Sequence, residues 1–170
     1  MSYVISNKQL IVPAQFCYLP ELRKFVTRIA TKYRFSNSEI NALTISVDEA
    51  CTNIIKHGYC NVATGLITMN VLVKNDRLVV ELIDQGRSFN PNQMNDPDLD
   101  LYVQNGKKGG LGIFIMKKFL DDIQYFSVDQ NNTLRLMKLR KDGSIYHVFI
   151  PLTLAVRRLV EIMFPTRKLN

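Results

Sequence analysis

The apolar residues of this chain change their spacing near residue 60, and that change limits the possible folds more than any other feature. Before it, they recur at three and four. Leu22, Phe25, Val26 and Ile29 line one face of a predicted helix over Glu21 to Tyr33, opened by Pro20. After the polar break Ser36-Asn37-Ser38, Ile40, Leu43, Val47, Ala50 and Ile54 line a second helix running to about Lys56. Gly58 stands where a helix end commonly needs a left-handed residue. Beyond it the period falls to two. Ile67, Met69, Val71 and Val73 alternate with more polar neighbours, and Lys74-Asn75-Asp76 turns the chain into a strand over Arg77 to Ile83. Upstream, Lys8 to Ala14 reads as a short strand closed by Pro13. Further on, the pattern predicts a helix over Leu111 to Asp121, a strand over Ile123 to Val128, a turn at Asn131-Asn132 and a strand over Thr133 to Arg140. One-sided helices followed by one-sided strands imply an α+β two-layer sandwich.

Length and composition bound the chemistry. A chain of 170 residues with 46% hydrophobic and 22% charged residues is expected to form one globular domain with a short appendage. The net charge of +7 favours an acidic partner or a nucleotide. The basic residues are spread out and not interleaved with aromatics, so direct nucleic-acid binding is not expected. No run reaches the roughly 18 apolar residues of a membrane span, and MSYVISNKQL lacks the pattern of a signal peptide. Three cysteines without CxxC spacing argue against a disulfide framework or zinc site, and a cytoplasmic location is the expectation.

Three segments carry candidate chemistry. In Asp48-Glu49-Ala50-Cys51-Thr52-Asn53, Glu49 and Asn53 are four apart and so share a helix face at the border of the apolar stripe. A carboxylate there can act as a general base, and an Asn oxygen can ligate a hard cation such as Mg²⁺. In Ile83-Asp84-Gln85-Gly86 a strand runs into Asp-x-Gly. Asp84 can accept from an exocyclic amine, while Gly86 lets a planar ring approach the backbone. In Gly106-Lys107-Lys108-Gly109-Gly110-Leu111-Gly112, glycines precede an apolar helix, offering backbone N–H groups and two positive charges to phosphates. Each segment alone also has an ordinary reading: a solvated helix face, a plain turn, a flexible linker with an N-cap. Between the second and third lies a stretch over 89–110 rich in Asn, Pro, Asp, Gly and Lys, longer than a simple connection needs.

In order and spacing the three segments resemble the N box and the two glycine boxes of the GHKL (Bergerat-fold) ATPases. DEACTNIIKHGY, DQGRSFNP and GGLGIFIMKKFLDD are most similar to the small bacterial anti-sigma-factor serine/threonine kinases, over roughly residues 8 to 140. The resemblance implies the histidine-kinase-like ATPase sandwich, with ATP and Mg²⁺ as cofactors. It implies Glu49 as the base that activates a partner's serine hydroxyl, Asn53 as the Mg²⁺ ligand, Asp84 as the reader of the adenine amino group, and Gly86 as the residue giving the base room. Lys107, Lys108, Gly109, Gly110, Leu111 and Gly112 would form the phosphate side, with Gly110 and Gly112 shaping a lid hinge. Thr133 would touch the adenine side, with Asn132 an equal match in register. His57 would be a helix-end residue near the pocket. Transfer would rest on positioning and on metal charge.

The family also implies partners: a STAS-domain antagonist as phosphate acceptor, a sigma factor bound alternately, and a homodimer. The other class of function open to the same sequence is an ATP-gated binding module that transfers no phosphate. A sensor histidine kinase is not expected, because His57 and His147 lie in no phospho-accepting helix pair, nor is a gyrase-like transducer domain expected in 170 residues. The kinase domain is expected over 1–142. A C-terminal extension over 143–170 would hold a strand through Tyr146, Val148 and Ile150, then an amphipathic helix with Leu152, Ala155, Leu159 and Ile162. That helix would pack on the domain's own sheet or a second subunit, dock a partner, or lie on a membrane surface.

Overall fold

A computed structural model describes residues 3–61, 65–88 and 111–141. The loop expected over 89–110 and the strand and helix expected after residue 143 lie outside the described residues. Five strands, β1 (Val4–Pro13), β2 (Leu66–Lys74), β3 (Arg77–Asp84), β4 (Asp122–Val128) and β5 (Asn131–Leu139), form one antiparallel sheet in the order β1-β2-β3-β5-β4. Three helices, α1 (Leu19–Lys32), α2 (Asn37–Asn53) and α3 (Gly112–Phe119), cover one face. This is the two-layer α+β sandwich expected from the change of period.

Strand alternation builds the core. Ile67, Met69, Val71 and Val73 of β2 meet Leu78, Val80 and Leu82 of β3 and Leu134 and Leu136 of β5, all buried toward the helices. The opposite face of the sheet is polar and ionic in its middle, where Arg135 pairs with Glu81 across the strands at 2.8 Å. α2 runs between α1 and α3, and Leu43, Val47, Ala50 and Ile54 form its inward stripe as their spacing predicted. Its start is fixed by a capping box. Ser36 Oγ accepts from Glu39 N at 3.3 Å, and Glu39 Oε2 accepts from Ser36 N at 2.7 Å. An Arg23–Asp48 ion pair joins α1 to α2.

Four local expectations are corrected. β1 begins at Val4 rather than Lys8, because the polar stretch Ser6 to Gln9 still pairs with β2, as an edge strand can do without burying an apolar face. The second helix stops at Asn53 and widens into a π-helical turn over Ile54–Gly58. The left-handed residues after it are Cys60 and Asn61 (φ 52° and 63°), not Gly58. Finally, the β4–β5 turn falls at Asp129-Gln130, both left-handed (φ 48° and 62°), and not at Asn131-Asn132. Val128 pairs with Asn131, so the connection is the two-residue hairpin whose twist suits the sheet. Asn131 and Asn132 therefore belong to β5.

Candidate functional site

The site lies where the C-terminal half of α2 crosses the ends of β3 and β5. Ala50, Asn53 and Ile54 form one wall, Asp84, Asn132 and Leu134 the floor, Met116 and Tyr125 the far side, with Gly58 and Arg87 at the rim. Together they line an open cleft. Its walls are mostly apolar and its polar groups few, which suits a flat ring that needs one or two oriented hydrogen bonds.

Asp84, the last residue of β3, is 7% exposed. Its Oδ1 accepts from Gly86 N at 2.8 Å and from Asn132 Nδ2 at 3.1 Å. Oδ2 accepts from none of the described residues. Burial pushes the Asp84 carboxyl above the ordinary aspartate range, opposed by the Asn132 and Gly86 hydrogen bonds. The segment after it packs directly on the π-helical turn. A Cβ on Gly86 would lie 2.6 Å from the Gly58 carbonyl carbon and 2.8 Å from its Cα, and Arg87 N donates to Gly58 O at 2.9 Å. Two backbones meet here with no room for a side chain, which is the physical need for Gly86. Tyr59 adds a further tie: its hydroxyl accepts from Gln85 N at 2.8 Å and donates to Leu66 O at 3.1 Å.

Glu49 and Asn53 lie one turn apart on α2, both half-buried. Desolvation raises the Glu49 pKa above the ordinary glutamate value; neighbouring Asp48 adds to this, and Lys56 opposes it. Glu49 accepts no hydrogen bond among the described residues. Its carboxylate lies against the start of α3, since a Cβ on Gly112 would stand 2.4 Å from Glu49 Oε2. Leu111 and Gly112 are buried beside it. Lys107, Lys108, Gly109 and Gly110 lie outside the described residues.

Glu49, Asn53, Asp84, Gly86, Leu111 and Gly112 thus converge on one end of the helix layer. Thr133 does not. It pairs with Ile83 and Phe126 and faces the open side of the sheet, while Asn132, one residue earlier, faces the helices and lines the pocket. The reason is the position of the turn: with Asn131-Asn132 inside the strand, parity turns Asn132 inward along with Leu134 and Leu136. His57 is exposed in the π-helical turn. Sequence reasoning missed Met116, Tyr125 and Arg87. Tyr125 carried a usable signal in its alternation with Ile123 on β4. Among the described residues no three His, Cys, Asp or Glu side chains group to hold a metal ion, and no helix is long and apolar enough to cross a membrane.

The pocket's donor set fits an adenine nucleotide. A buried carboxylate has one oxygen spoken for and one open, Gly86 packs directly on the Gly58 backbone at the rim, and a half-buried Asn amide lies one turn from Glu49. Residues 12–138 match the family described as the histidine kinase-like ATPase domain, and the chain belongs to that family. Its relatives narrow the class further. It is 33% identical over 121 residues to the serine-protein kinase RsbW of Bacillus subtilis (strain 168), covering 68% of this chain and 75% of the relative. To the serine-protein kinase RsbW of Bacillus licheniformis it is 32% identical over 131 residues, covering 74% and 81%. Among solved structures, the RsbU and RsbW domains of Rv1364c from Mycobacterium tuberculosis share the fold, with a TM-score of 0.57 and 14% identity. That match covers 81% of this chain and 33% of the other. The family expected from the three segments is the family found.

Proposed function

We propose that this chain is an ATP- and Mg²⁺-dependent protein serine/threonine kinase that acts as an anti-sigma factor. It would phosphorylate a STAS-domain antagonist, and would bind a sigma factor when the antagonist is phosphorylated. The observation that carries the reading is a pair of carboxylates with different surroundings at one end of the helix layer: Asp84, buried in the pocket and held by two N–H donors, and half-buried Glu49, one turn from the pocket-lining Asn53 and accepting no hydrogen bond among the described residues.

Asp84 Oδ2 would accept from the adenine amino group, and the Gly58–Gly86 contact would keep the rim flat for the ring. Asn53 would hold Mg²⁺ through its amide oxygen together with phosphate oxygens, because no carboxylate cluster among the described residues does so alone. The N-terminus of α3, with Leu111 and Gly112, would offer backbone N–H groups to the phosphates, and Lys107, Lys108, Gly109 and Gly110 would extend that surface. When bound, Mg-ATP supplies the transferable phosphoryl group and the charge that stabilises its transfer. Glu49 would orient the acceptor's serine hydroxyl and take its proton. Its raised pKa makes it a stronger base than an exposed glutamate. The family's homodimer and a cytoplasmic location belong to the same proposal. Exposed Ile11, Phe126, Val128 and Leu139 on the open face of the sheet are consistent with a covered surface in a dimer.

The test retains partners on the protein in the presence of Mg-ATP and weighs them intact after incubation with wild type and with Glu49→Gln. A phosphate gained on a serine or threonine of a small partner, with wild type alone, supports the kinase. Partners held in a nucleotide-dependent way but never modified would replace it with the ATP-gated binding module.

A further inference from the structure

Alternation along β5 puts Asn132, Leu134, Leu136 and Lys138 on the face that packs against the helices. Asn132 and Leu134 line the pocket and Leu136 lies in the core. The fourth position, at the other end of the strand, is a lysine only 9% exposed. An ammonium so far from water needs partners, and Lys138 has them. Its Nζ donates to the carbonyl of Phe119, the last residue of α3, at 2.8 Å, and meets Asp121 Oδ2 at 3.0 Å. The same carboxylate oxygen accepts from Leu139 N at 2.8 Å, and Asp121 N donates to Met137 O at 3.0 Å. A cation at the carbonyl end of a helix also opposes the partial negative charge there. The C-terminus of α3 is thus tied to β5 by groups with fixed direction. The body of the helix is held by Ile113 and Met116 through apolar contacts, which have none.

We infer that Lys138 is a positioning residue for the phosphate end of the site. By pinning the C-terminus of α3, it sets where the first residue of that helix stands against Glu49. This rests on the proposed roles of Glu49 and of the α3 N-terminus in holding and transferring phosphate. α3 has eight residues and is roughly 12 Å long, short enough to move as a rod. At its other end there is no slack: a Cβ on Gly112 would lie 2.4 Å from Glu49 Oε2 and 3.4 Å from Glu49 Cβ. A shift of the rod along its axis changes the gap at Gly112 by the same amount. Stability alone does not account for the lysine. A buried ion pair is often no more stabilising than apolar side chains of similar size, so another Leu or Met would serve this face of β5 as well. What an apolar side chain lacks is a fixed direction and distance to the Phe119 carbonyl.

The gap at Gly112 can be read by cross-linking. In the full chain carrying Glu49→Cys with Gly112→Cys, the two Cβ atoms lie close to the roughly 3.5–4.5 Å that a disulfide spans. Bond formation under a mild oxidant is followed by intact mass, and peptide mapping separates this bond from any to Cys17, Cys51 or Cys60. Adding Lys138→Met, which keeps the apolar stem and removes the ammonium, is expected to slow the cross-link several-fold. Lys138→Arg keeps a charged donor and is expected to restore most of the rate. With Glu49 and Gly112 intact, calorimetry with ATP and with adenosine gives a second readout. Lys138→Met is expected to weaken ATP about tenfold, the loss of one hydrogen bond to a charged group, and to leave adenosine within about twofold. Asp121→Asn removes the counter-charge and keeps an acceptor for Leu139 N. It is expected to act in the same direction more weakly, and it serves if Lys138→Met does not fold. A folded Lys138→Met or Asp121→Asn that cross-links at the parent rate overturns the inference, as does one that weakens ATP and adenosine equally. A parent chain that cross-links while wild type binds neither ATP nor adenosine defeats the nucleotide reading instead.

Discussion

Asp84 and Glu49 are carboxylates with raised pKa values near one end of the helix layer, but their surroundings differ in kind. Asp84 ends a strand inside the sheet, and two N–H donors fix one of its oxygens. Glu49 projects from a helix, accepts no hydrogen bond among the described residues, and has the negative Asp48 beside it in sequence. Donors lower a carboxylate's basicity and hold its plane; burial and a like charge raise its basicity. Burial raises both carboxyls; Asp84 is also held by donors that oppose the rise, and Glu49 is also faced by Asp48, which adds to it. On the proposed function the two ends of the site would separate binding from proton transfer, and substitutions at each should split affinity from rate.

The largest effect should come from the base. Glu49→Gln keeps the volume but removes the proton acceptor, and phosphotransfer should fall by roughly 10²- to 10⁴-fold. ATP affinity in a calorimetric titration should stay near wild type; a parallel loss of binding would make Glu49 a nucleotide ligand and break the comparison. Its raised pKa adds a sign that can be checked. The folded state disfavours the charged carboxylate, so the associated stability is present below the unfolded pKa and lost as pH rises through the folded one. At neutral pH Glu49→Gln should therefore melt higher than wild type, and this advantage should vanish in acid. The acid limb of the rate profile should likewise lie above the ordinary glutamate range.

Next is Asp84→Asn, which turns an acceptor oxygen into a donor where the ring's amino group is read. A hydrogen bond to a charged group is worth about 1.5–3 kcal/mol, so ATP should bind roughly 10- to 100-fold more weakly. At saturating ATP the transfer rate should recover much of its wild-type value. A rate that stays low at saturation would mean that Asp84 also positions the reacting end.

Gly112→Ala probes the end of the site where a helix, rather than the sheet, sets the geometry. The new Cβ would stand 2.4 Å from Glu49 Oε2, the flexible end of a side chain, so the carboxylate should swing aside rather than the backbone move. A misplaced base costs rate, by about tenfold here and up to roughly 10²-fold for a displacement near 1 Å. ATP affinity should change much less. Gly86→Ala makes the sharp contrast. There the clash is with the Gly58 backbone at 2.6 Å, nothing flexible can yield, and both folding of the rim and nucleotide affinity should suffer.

These glycines also mark where sequence reading succeeded and where it stopped. The change of period near residue 60 was enough for the two layers, because burial of one face imposes spacing directly. Asn53 and Asp84, which stand at fixed distances from that pattern, line the pocket. The need for space falls on Gly86 rather than on Gly58, because two chain segments distant in sequence press together there and a Cβ on Gly86 would strike the Gly58 backbone. Such a contact leaves no local trace. The turn was misplaced for a related reason. Asn131-Asn132 has the composition of a turn, but the pairing of Val128 with Asn131 moves it to Asp129-Gln130. That shift places Asn132 inside β5, where alternation turns it toward the pocket with Leu134 and Leu136, while Thr133 faces the open side. β1 was shortened because an edge strand with polar residues on both sides has no period to read.

The smallest expected effect isolates the helix that carries Glu49 and Asn53 from the chemistry it serves. Ser36→Ala removes the side-chain half of the capping box at the far end of α2, about 1 kcal/mol by comparison with other N-caps. For a domain of this size that lowers the melting temperature by roughly 3–4 °C. Glu49 lies more than three turns further along the helix, so its distance to Gly112 should not change, and neither ATP affinity nor transfer rate should move by more than about twofold. If activity falls while affinity holds, fraying at the start of α2 reaches the base but not Asp84. Glu49 would then depend on the stability of its helix in a way that the sheet-borne carboxylate does not.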